Sequence, residues 1–377
     1  MKVGIVAGEK SGDYLGSELI KAIKLKYPDA EFIGLCGPLM QEQGAITLAE
    51  MDKISIMGLA GVIRGLLDIL SIRRRLYKHF IASPPDVFIG IDVPDFNLGL
   101  EKKLKQKGIP TVHYVSPTVW AWRSGRIKKI RESVDLMLTL FPFEELFYQQ
   151  HNTPVKYVGH PLAKQVLNWR TDKDLKKSLL QKDCRLIAML PGSRMNEVSR
   201  LAPAMIDAAI QLKKIDSNLQ FVIPVASPKI RKYLVEECHL NQSLIKLVDG
   251  KSRDVLSISD LVVLASGTAA LEAALFSKPM VVMYKMDWLT VFLFKHTVKV
   301  KHFSMPNHLI DPPIVPELLQ DQATSENVVL QVQRLLEDRQ YFETMQQALS
   351  KVAQSLSMDT GKIASEEIFN LISNKAK

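Results

Sequence analysis

Cysteine is scarce in this chain, and what there is does not pair. Cys36, Cys184 and Cys238 are odd in number and far apart, with no C-x-x-C among them. Neither a disulfide framework nor a zinc knuckle is expected, and a reducing cytosol fits best. Long apolar runs are missing as well. No stretch of about 18 uncharged apolar residues occurs, which argues against a spanning helix. The opening MKVGIVAGEKSGD meets charge after a few apolar residues, too soon for the core of a signal peptide. The sequence shows no internal repeat and no low-complexity tract. Acidic residues are outnumbered, 40 Asp and Glu against 49 Lys and Arg, for a formal charge of +9. That excess favours anionic partners such as phosphates, acidic lipid or nucleic acid, without choosing among them.

At 377 residues the chain exceeds the size at which single cores stop growing, so two domains are the default expectation. Short β-branched or aliphatic runs alternate with longer helical patterns, which predicts parallel sheets covered by helices on both faces. In the first half the strands fall near 2–7, 31–36, 86–91, 110–115, 135–139 and 155–158. In the second they fall near 185–190, 219–224, 244–248, 260–264 and 279–283. Each set is large enough for one doubly wound α/β domain. The polar, irregular stretch from Gly159 to Asp174 separates them, giving an N-terminal domain over 1–160 and a C-terminal one over 161–345. From Glu326 onward the pattern is helical without strands, expected to lie across both domains rather than form a third.

Two segments of the second half carry the strongest functional signal. LIAMLPGSRMNEV (Leu186 to Val198) and LVVLASGTAALEAALFSKPMVVMYK (Leu261 to Lys285) are apolar runs that end in a small-residue turn and open directly into helical pattern. The first N–H groups of a helix have no partner within it, and the dipole adds partial positive charge beside them. Two such turns, around Ser193 and around Ser266, Gly267 and Thr268, suggest a diphosphate-bearing ligand. Arg194 adds a fixed cation to the first, and Glu272, a turn into the second helix, is placed to accept from a ribose diol. These features point to a nucleotide sugar.

Other segments admit more than one reading. AGEKSGD (Ala7 to Asp13) lacks the G-x-G-x-x-G spacing of a dinucleotide fingerprint. It is either a strand-to-helix turn capped by Ser11 or Asp13, or a loop that shapes an acceptor site. PDVFIGIDVPDFN (Pro85 to Asn97) runs a strand into Asp92, at the carboxyl end where α/β sheets bind ligands. A carboxylate there serves as general base, whereas Asp92 and Asp95 are also ordinary turn and cap residues. D-V-P-D is not a D-x-D metal signature, and no metal site is expected. In HYVSPTVWAWRSGRIKKI (His113 to Ile130) Trp120 and Trp122 stand beside Arg123, Arg126, Lys128 and Lys129. They stack on single-stranded nucleic acid, floor a sugar or acyl site, or form a partly buried pair. His113 and His160 read as structural.

IMGLAGVIRGLLDILSIRRRLYK (Ile56 to Lys78) is apolar nearly all round, with Arg64 and Asp68 the exceptions, before the cluster Arg73, Arg74, Arg75 and Lys78. It is a core helix or an interfacial one, in which Val62, Ile63, Leu66, Leu67 and Leu70 dip into lipid while the arginines meet anionic headgroups. The basic cluster favours the second. Asp287 to Phe303 has the same character.

In order and spacing, GEKSGD, GIDVPDFN, HYVSPTVWAWR, FPFE, VGHPL, LPGSR, LASGTAALE and MPN, running from Gly8 to Asn307, resemble the motifs of the lipid-A-disaccharide synthase family. These are membrane-associated glycosyltransferases of Gram-negative bacteria. The resemblance implies a GT-B architecture, two Rossmann-like domains facing across a cleft, with 346–377 crossing back onto the first. It implies transfer of 2,3-diacylglucosamine from UDP-2,3-diacylglucosamine to the 6-hydroxyl of 2,3-diacylglucosamine 1-phosphate (lipid X), without a cofactor, on the cytoplasmic face of the inner membrane. By motif, Asp92 matches the family's proposed general base and Ser11 an acceptor-side position. Arg194, Glu272 and Asn307 match donor-side positions. The chain departs from the pattern at Lys10, where a small residue is expected, at Lys164, where an acid is common, and at Pro312 and Pro313, which replace a Gly-Arg pair.

An α-linked donor that gives a β product requires inversion, so one carboxylate takes the acceptor proton while the diphosphate leaves from the opposite face. Arg194 and the helix N-termini near Ser193 and Gly267 are placed to meet the leaving charge. Two rival classes remain. A soluble UDP-sugar 2-epimerase shares the two-domain plan but needs no lipid surface. A basic nucleic-acid binder explains the charge and the Trp-Arg stretch, yet leaves Asp92 and both phosphate turns idle, so no nucleic-acid partner is expected.

Overall fold

A computed structural model of the chain describes residues 1–51, 62–121, 124–180, 183–287 and 301–375. It divides into two compact units, Met1–Pro161 with Leu356–Lys377, and Leu162–Ser355.

Among the described residues, the first unit is built on a seven-stranded sheet in the order β3-β2-β1-β4-β5-β6-β7. The strands are β1 (Lys2–Ala7), β2 (Glu31–Leu35), β3 (Ile46–Thr47), β4 (Val87–Ile91), β5 (Thr111–Tyr114), β6 (Leu136–Thr139) and β7 (Val155–Tyr157). Every pairing is parallel. Parallel strands are covered on both faces, which is why VFIGI of β4 is buried along its whole length instead of alternating. The helix Lys10–Lys26 covers one face with Leu15, Leu19, Ile20 and Ile23, spaced to form a single stripe. On the other face Ile72, Leu76 and Phe80 of the helix Val62–Ala82 join Phe88 and Phe96. The returning helix Thr360–Lys375 packs on Lys10–Lys26, where a Cβ on Gly361 would lie 2.9 Å from the Glu18 carbonyl. Ion pairs Lys156–Glu367 at 3.5 Å and Lys375–Asp135 at 2.6 Å accompany it.

The second unit has a six-stranded sheet, again among the described residues, in the order β10-β9-β8-β11-β12-β13. Its strands are β8 (Arg185–Leu190), β9 (Leu219–Val225), β10 (Ile245–Asp249), β11 (Leu261–Ala265), β12 (Met280–Tyr284) and β13 (Glu317–Leu319). All are parallel, and β8, β11 and β12 form its buried centre. Two edge strands, β3 and β13, were not expected from sequence. Two or three residues carry no readable periodicity, and edge strands need no continuous apolar run.

In both sheets the strand order reverses once, between β1 and β4 and between β8 and β11. At a reversal the connections from adjacent strands leave in opposite directions and open a crevice beyond the carboxyl ends, which is where open α/β sheets bind ligands.

Candidate functional site

In the first unit the reversal brings AGEKSGD and GIDVPDFN together. Ala7 and Ile91 are register partners, so Gly8 and Asp92 follow at the same level. Ser11 is exposed in the first turn of its helix, whose N-cap position is Glu9. Neither Ser11 nor Asp13 caps this helix. The buried Asp13 carboxylate instead accepts from Leu39 N at 2.9 Å and Met40 N at 3.0 Å, capping the short helix Pro38–Glu42. Spacing along the chain could not show that partner, because it lies on another element.

Asp92 is half-exposed at the end of β4. It and Val93 both take left-handed backbone, with φ of 55° and 43°. For a β-branched valine this conformation is strained, at a cost of about 1–3 kcal/mol, and it persists only where the surroundings over-determine it. They do so here. Asp92 N donates to Tyr114 O at 2.8 Å, Asn97 Nδ2 donates to the Asp92 carbonyl at 2.8 Å, and Val93 N donates to Asp92 Oδ1 at 2.8 Å. Pro94 then opens the next helix at its first position, where a missing N–H costs nothing. Asp95 is exposed and pairs with Arg126.

Beneath this turn lies a polar cluster that sequence reading missed. His113 Nδ1 and Glu101 Oε1 are 2.7 Å apart and wholly buried, and burial pushes the Glu101 carboxyl up. Gly90, the register partner of His113, makes room for them: a Cβ there would lie 2.2 Å from Glu101 Oε1 and 2.9 Å from Asn97 Cβ. The glycine of GIDVPDFN therefore serves packing under Asp92, a role its spacing did not reveal.

Trp120 donates from Nε1 to Glu144 at 3.2 Å and meets Phe143 edge-on at 4.8 Å, which ties HYVSPTVWAWR to FPFE. Burial pushes the Glu144 carboxyl up to about 7 and the His160 imidazole down to about 4. Trp122 and Arg123 lie outside the described residues.

In the second unit the reversal sets the two phosphate-type turns side by side, with Leu190 and Leu264 in register. Ser193 and Arg194 are exposed, and Arg194 is the N-cap of the helix Met195–Ile215. Glu197 folds back onto them. It accepts from Ser193 N at 3.2 Å and lies 3.7 Å from the Arg194 guanidinium, so a carboxylate already rests on the Ser193 N–H. Gly192, at φ 126°, leaves room for it. Gly267 and Thr268 are exposed at the start of the helix Thr268–Leu275, and Ser266 Oγ donates to Phe303 O at 2.7 Å. Glu272 pairs with Arg253 at 2.8 Å, and Arg253 also donates to Gln165 at 2.9 Å. Asn307 is buried and bonded inside the domain. Arg253 and Glu197 escaped notice because isolated charges on a helix usually read as a solvated face.

Of the residues expected to meet a membrane, the side chains of Val62, Ile63, Leu66 and Leu67 lie outside the described set, as do residues 288–300. Leu70 is exposed, as are Arg74 and Arg75. Arg75 donates to Leu48 O, and Arg73 is half-buried against Gly99. The helix thus has one face in the core and another outside. Among the described residues no helix is long and apolar enough to cross a membrane, and no cluster of three His, Cys, Asp or Glu is placed to hold a metal.

A UDP-GlcNAc 2-epimerase from Neisseria meningitidis, solved with UDP-GlcNAc, superposes with a TM-score of 0.63 at 14% identity, covering 98% of this chain and 100% of that one. CalG4, the calicheamicin glycosyltransferase, gives 0.62 at 13% identity over 100% and 99%. At such identities the likeness establishes the fold, two parallel-sheet α/β domains of the GT-B kind. The lipid-A-disaccharide synthase of Azotobacter vinelandii is 45% identical over 376 residues, 98% of either chain. The model of the family described as lipid-A-disaccharide synthetase matches residues 3–370. With GEKSGD, GIDVPDFN, LPGSR and LASGTAALE at the two sheet reversals and its length matched almost end to end, this chain belongs to the lipid-A-disaccharide synthase family, glycosyltransferases of lipid A biosynthesis.

Proposed function

We propose that the chain transfers 2,3-diacylglucosamine, with inversion, from UDP-2,3-diacylglucosamine to the 6-hydroxyl of lipid X, giving the β-1,6 disaccharide 1-phosphate and UDP. The acceptor oxygen bonds to the anomeric carbon, the bond from that carbon to the diphosphate breaks, and Asp92 takes the hydroxyl proton. Ser11 serves the acceptor side. Ser193, Arg194, Ser266, Gly267, Thr268 and Glu272 serve the UDP-sugar. The observation that carries this reading is the pair of adjacent helix-opening turns at the β8/β11 reversal, with exposed Arg194 beside them, in a chain of this family. Its test is UDP release with and without the lipid acceptor. Release is expected only when lipid X is present. Equal release without it would point to the hydrolytic chemistry of an epimerase-like enzyme.

The reading places the protein at the periphery of the cytoplasmic face of the inner membrane, on the helix Val62–Ala82. Exposed Leu70 and Arg74 support it. Each Lys or Arg near an anionic surface adds roughly 1 kcal/mol that salt screens, whereas apolar insertion is indifferent to salt. Binding to anionic vesicles is therefore expected to weaken with salt without vanishing. Replacing Val62, Leu66 and Leu70 by Ser is expected to release more protein than high salt does, with UDP binding retained. Unfolding of that variant would assign the side chains to the core, and wild-type protein that never sediments with vesicles would remove the membrane reading.

A further inference from the structure

Glu317 opens the edge strand β13, paired with Val282 of β12. Its carboxylate gathers four donors from one short segment. Phe303 N donates to Oε2 at 2.9 Å, while Ser304 N at 3.1 Å, Ser304 Oγ at 2.7 Å and Asn307 Nδ2 at 2.8 Å donate to Oε1. Burial pushes this carboxyl up, yet the bonds from Phe303, Ser304 and Asn307 outweigh it and hold it below the ordinary Glu range. The segment so fixed hands one group onward. The Phe303 carbonyl accepts from Ser266 Oγ at 2.7 Å, and Ser266 N donates to Met283 O at 2.8 Å, so the turn before Gly267 and Thr268 is held on both sides.

Asn307 is saturated by the same arrangement. Its Nδ2 carries two hydrogens, given to Glu317 and to Val315 O at 2.8 Å. Its Oδ1 has two lone pairs, taken by Ile314 N at 3.2 Å and Val315 N at 3.0 Å. An amide has no further capacity, and the residue is 4% exposed. A donor-side role for Asn307 by direct contact with ligand does not fit that bonding.

We infer that Glu317 and Asn307 are positioning residues of the UDP-sugar site, which lock the Phe303–Asn307 segment so that its Phe303 carbonyl fixes Ser266 and thereby aims the N–H groups at Gly267 and Thr268. This rests on the donor reading above. It adds Glu317, which no motif singled out, and moves Asn307 from ligand contact to support. A Gln at 317 has one acceptor oxygen where the site needs two, and turns an NH2 donor toward another donor, so the segment loosens without a change of volume.

The test is a double-mutant cycle on UDP affinity, read by calorimetry on the full chain, with Glu317→Gln, Ser266→Ala and the pair. Stranding a buried donor typically weakens the linked equilibrium by about tenfold, and that loss is expected for Glu317→Gln, with KM for the UDP-sugar raised and KM for the lipid acceptor unmoved. Residues acting through one network are non-additive. The pair is therefore expected to bind UDP no more weakly than the worse single variant. Losses that multiply, wild-type affinity in Glu317→Gln, or an equal rise in both KM values would overturn the inference while leaving the donor reading intact. Wild-type protein that fails to bind UDP would overturn both. Should circular dichroism show Glu317→Gln unfolded, Ser304→Ala takes its place in the cycle under the same criteria, since it removes one bond to the carboxylate and keeps the charge.

Discussion

Asp92→Asn is expected to lower turnover by about 10² to 10⁴, the usual loss when a positioned general base is removed, while UDP affinity stays near wild type. The substitution keeps the size of the side chain. Asparagine Oδ1 can still accept from Val93 N, and the backbone bonds from Asp92 N to Tyr114 O and from Asn97 to the Asp92 carbonyl do not involve the carboxylate. The left-handed turn at 92–93 therefore survives, and what is lost is the capacity to take a proton. Affinity for UDP is spared because Ser193, Arg194 and Ser266 belong to the other unit. Steady-state turnover and calorimetric UDP binding check the two halves of the statement. Near-normal turnover would remove Asp92 from the role and bring Asp95 forward, although Asp95 is exposed and already engaged by Arg126.

Arg194→Ala is expected to cost on the order of 10² to 10³ in turnover, the loss typical of one preorganised group that meets charge as it develops. The side chain is 83% exposed and leans on Glu197 at 3.7 Å. A bound diphosphate is a better partner than that carboxylate, since it brings more charge and meets the N–H of Ser193 as well. The helix N-terminus remains in the variant, so the loss is bounded rather than complete. Since Arg194 and the two helix N-termini carry the leaving charge in the proposed mechanism, turnover is expected to survive EDTA. Activity abolished by EDTA and restored by magnesium would assign that task to a metal instead. Arg194→Lys restores the charge without the planar fork. It is expected to recover part of the rate, which separates loss of charge from collapse of the turn.

Much of this was written in the order of the residues. The buried strands announce themselves as short aliphatic runs because a parallel strand covered on both faces has no polar side to show. Turns that open helices announce themselves through Gly, Ser and Pro, whose preferences are local. That is why β1, β4, β8 and β11, and the residues just beyond them, were legible before any coordinates. The motif order resembling lipid-A-disaccharide synthases was legible for the same reason, since each motif is a contiguous stretch of chain and most follow a strand.

What the linear chain did not contain is which strand end meets which. The reversal that sets Asp92 beside AGEKSGD depends on the crossover of β4 to the far side of β1. Local propensity decides that a strand forms, and long-range packing decides its neighbours. The same holds for Asp13 capping a helix 26 residues on, for Glu101 meeting His113 under Gly90, and for Glu317 collecting the donors of Phe303, Ser304 and Asn307. Sequence by itself determined the fold class, the two sets of strands and the motifs that stand at their ends. Only the tertiary structure decided which buried polar groups bond to the segments that carry those motifs, because a hydrogen bond between distant residues is specified by where the backbone places them and leaves no periodic trace along the chain.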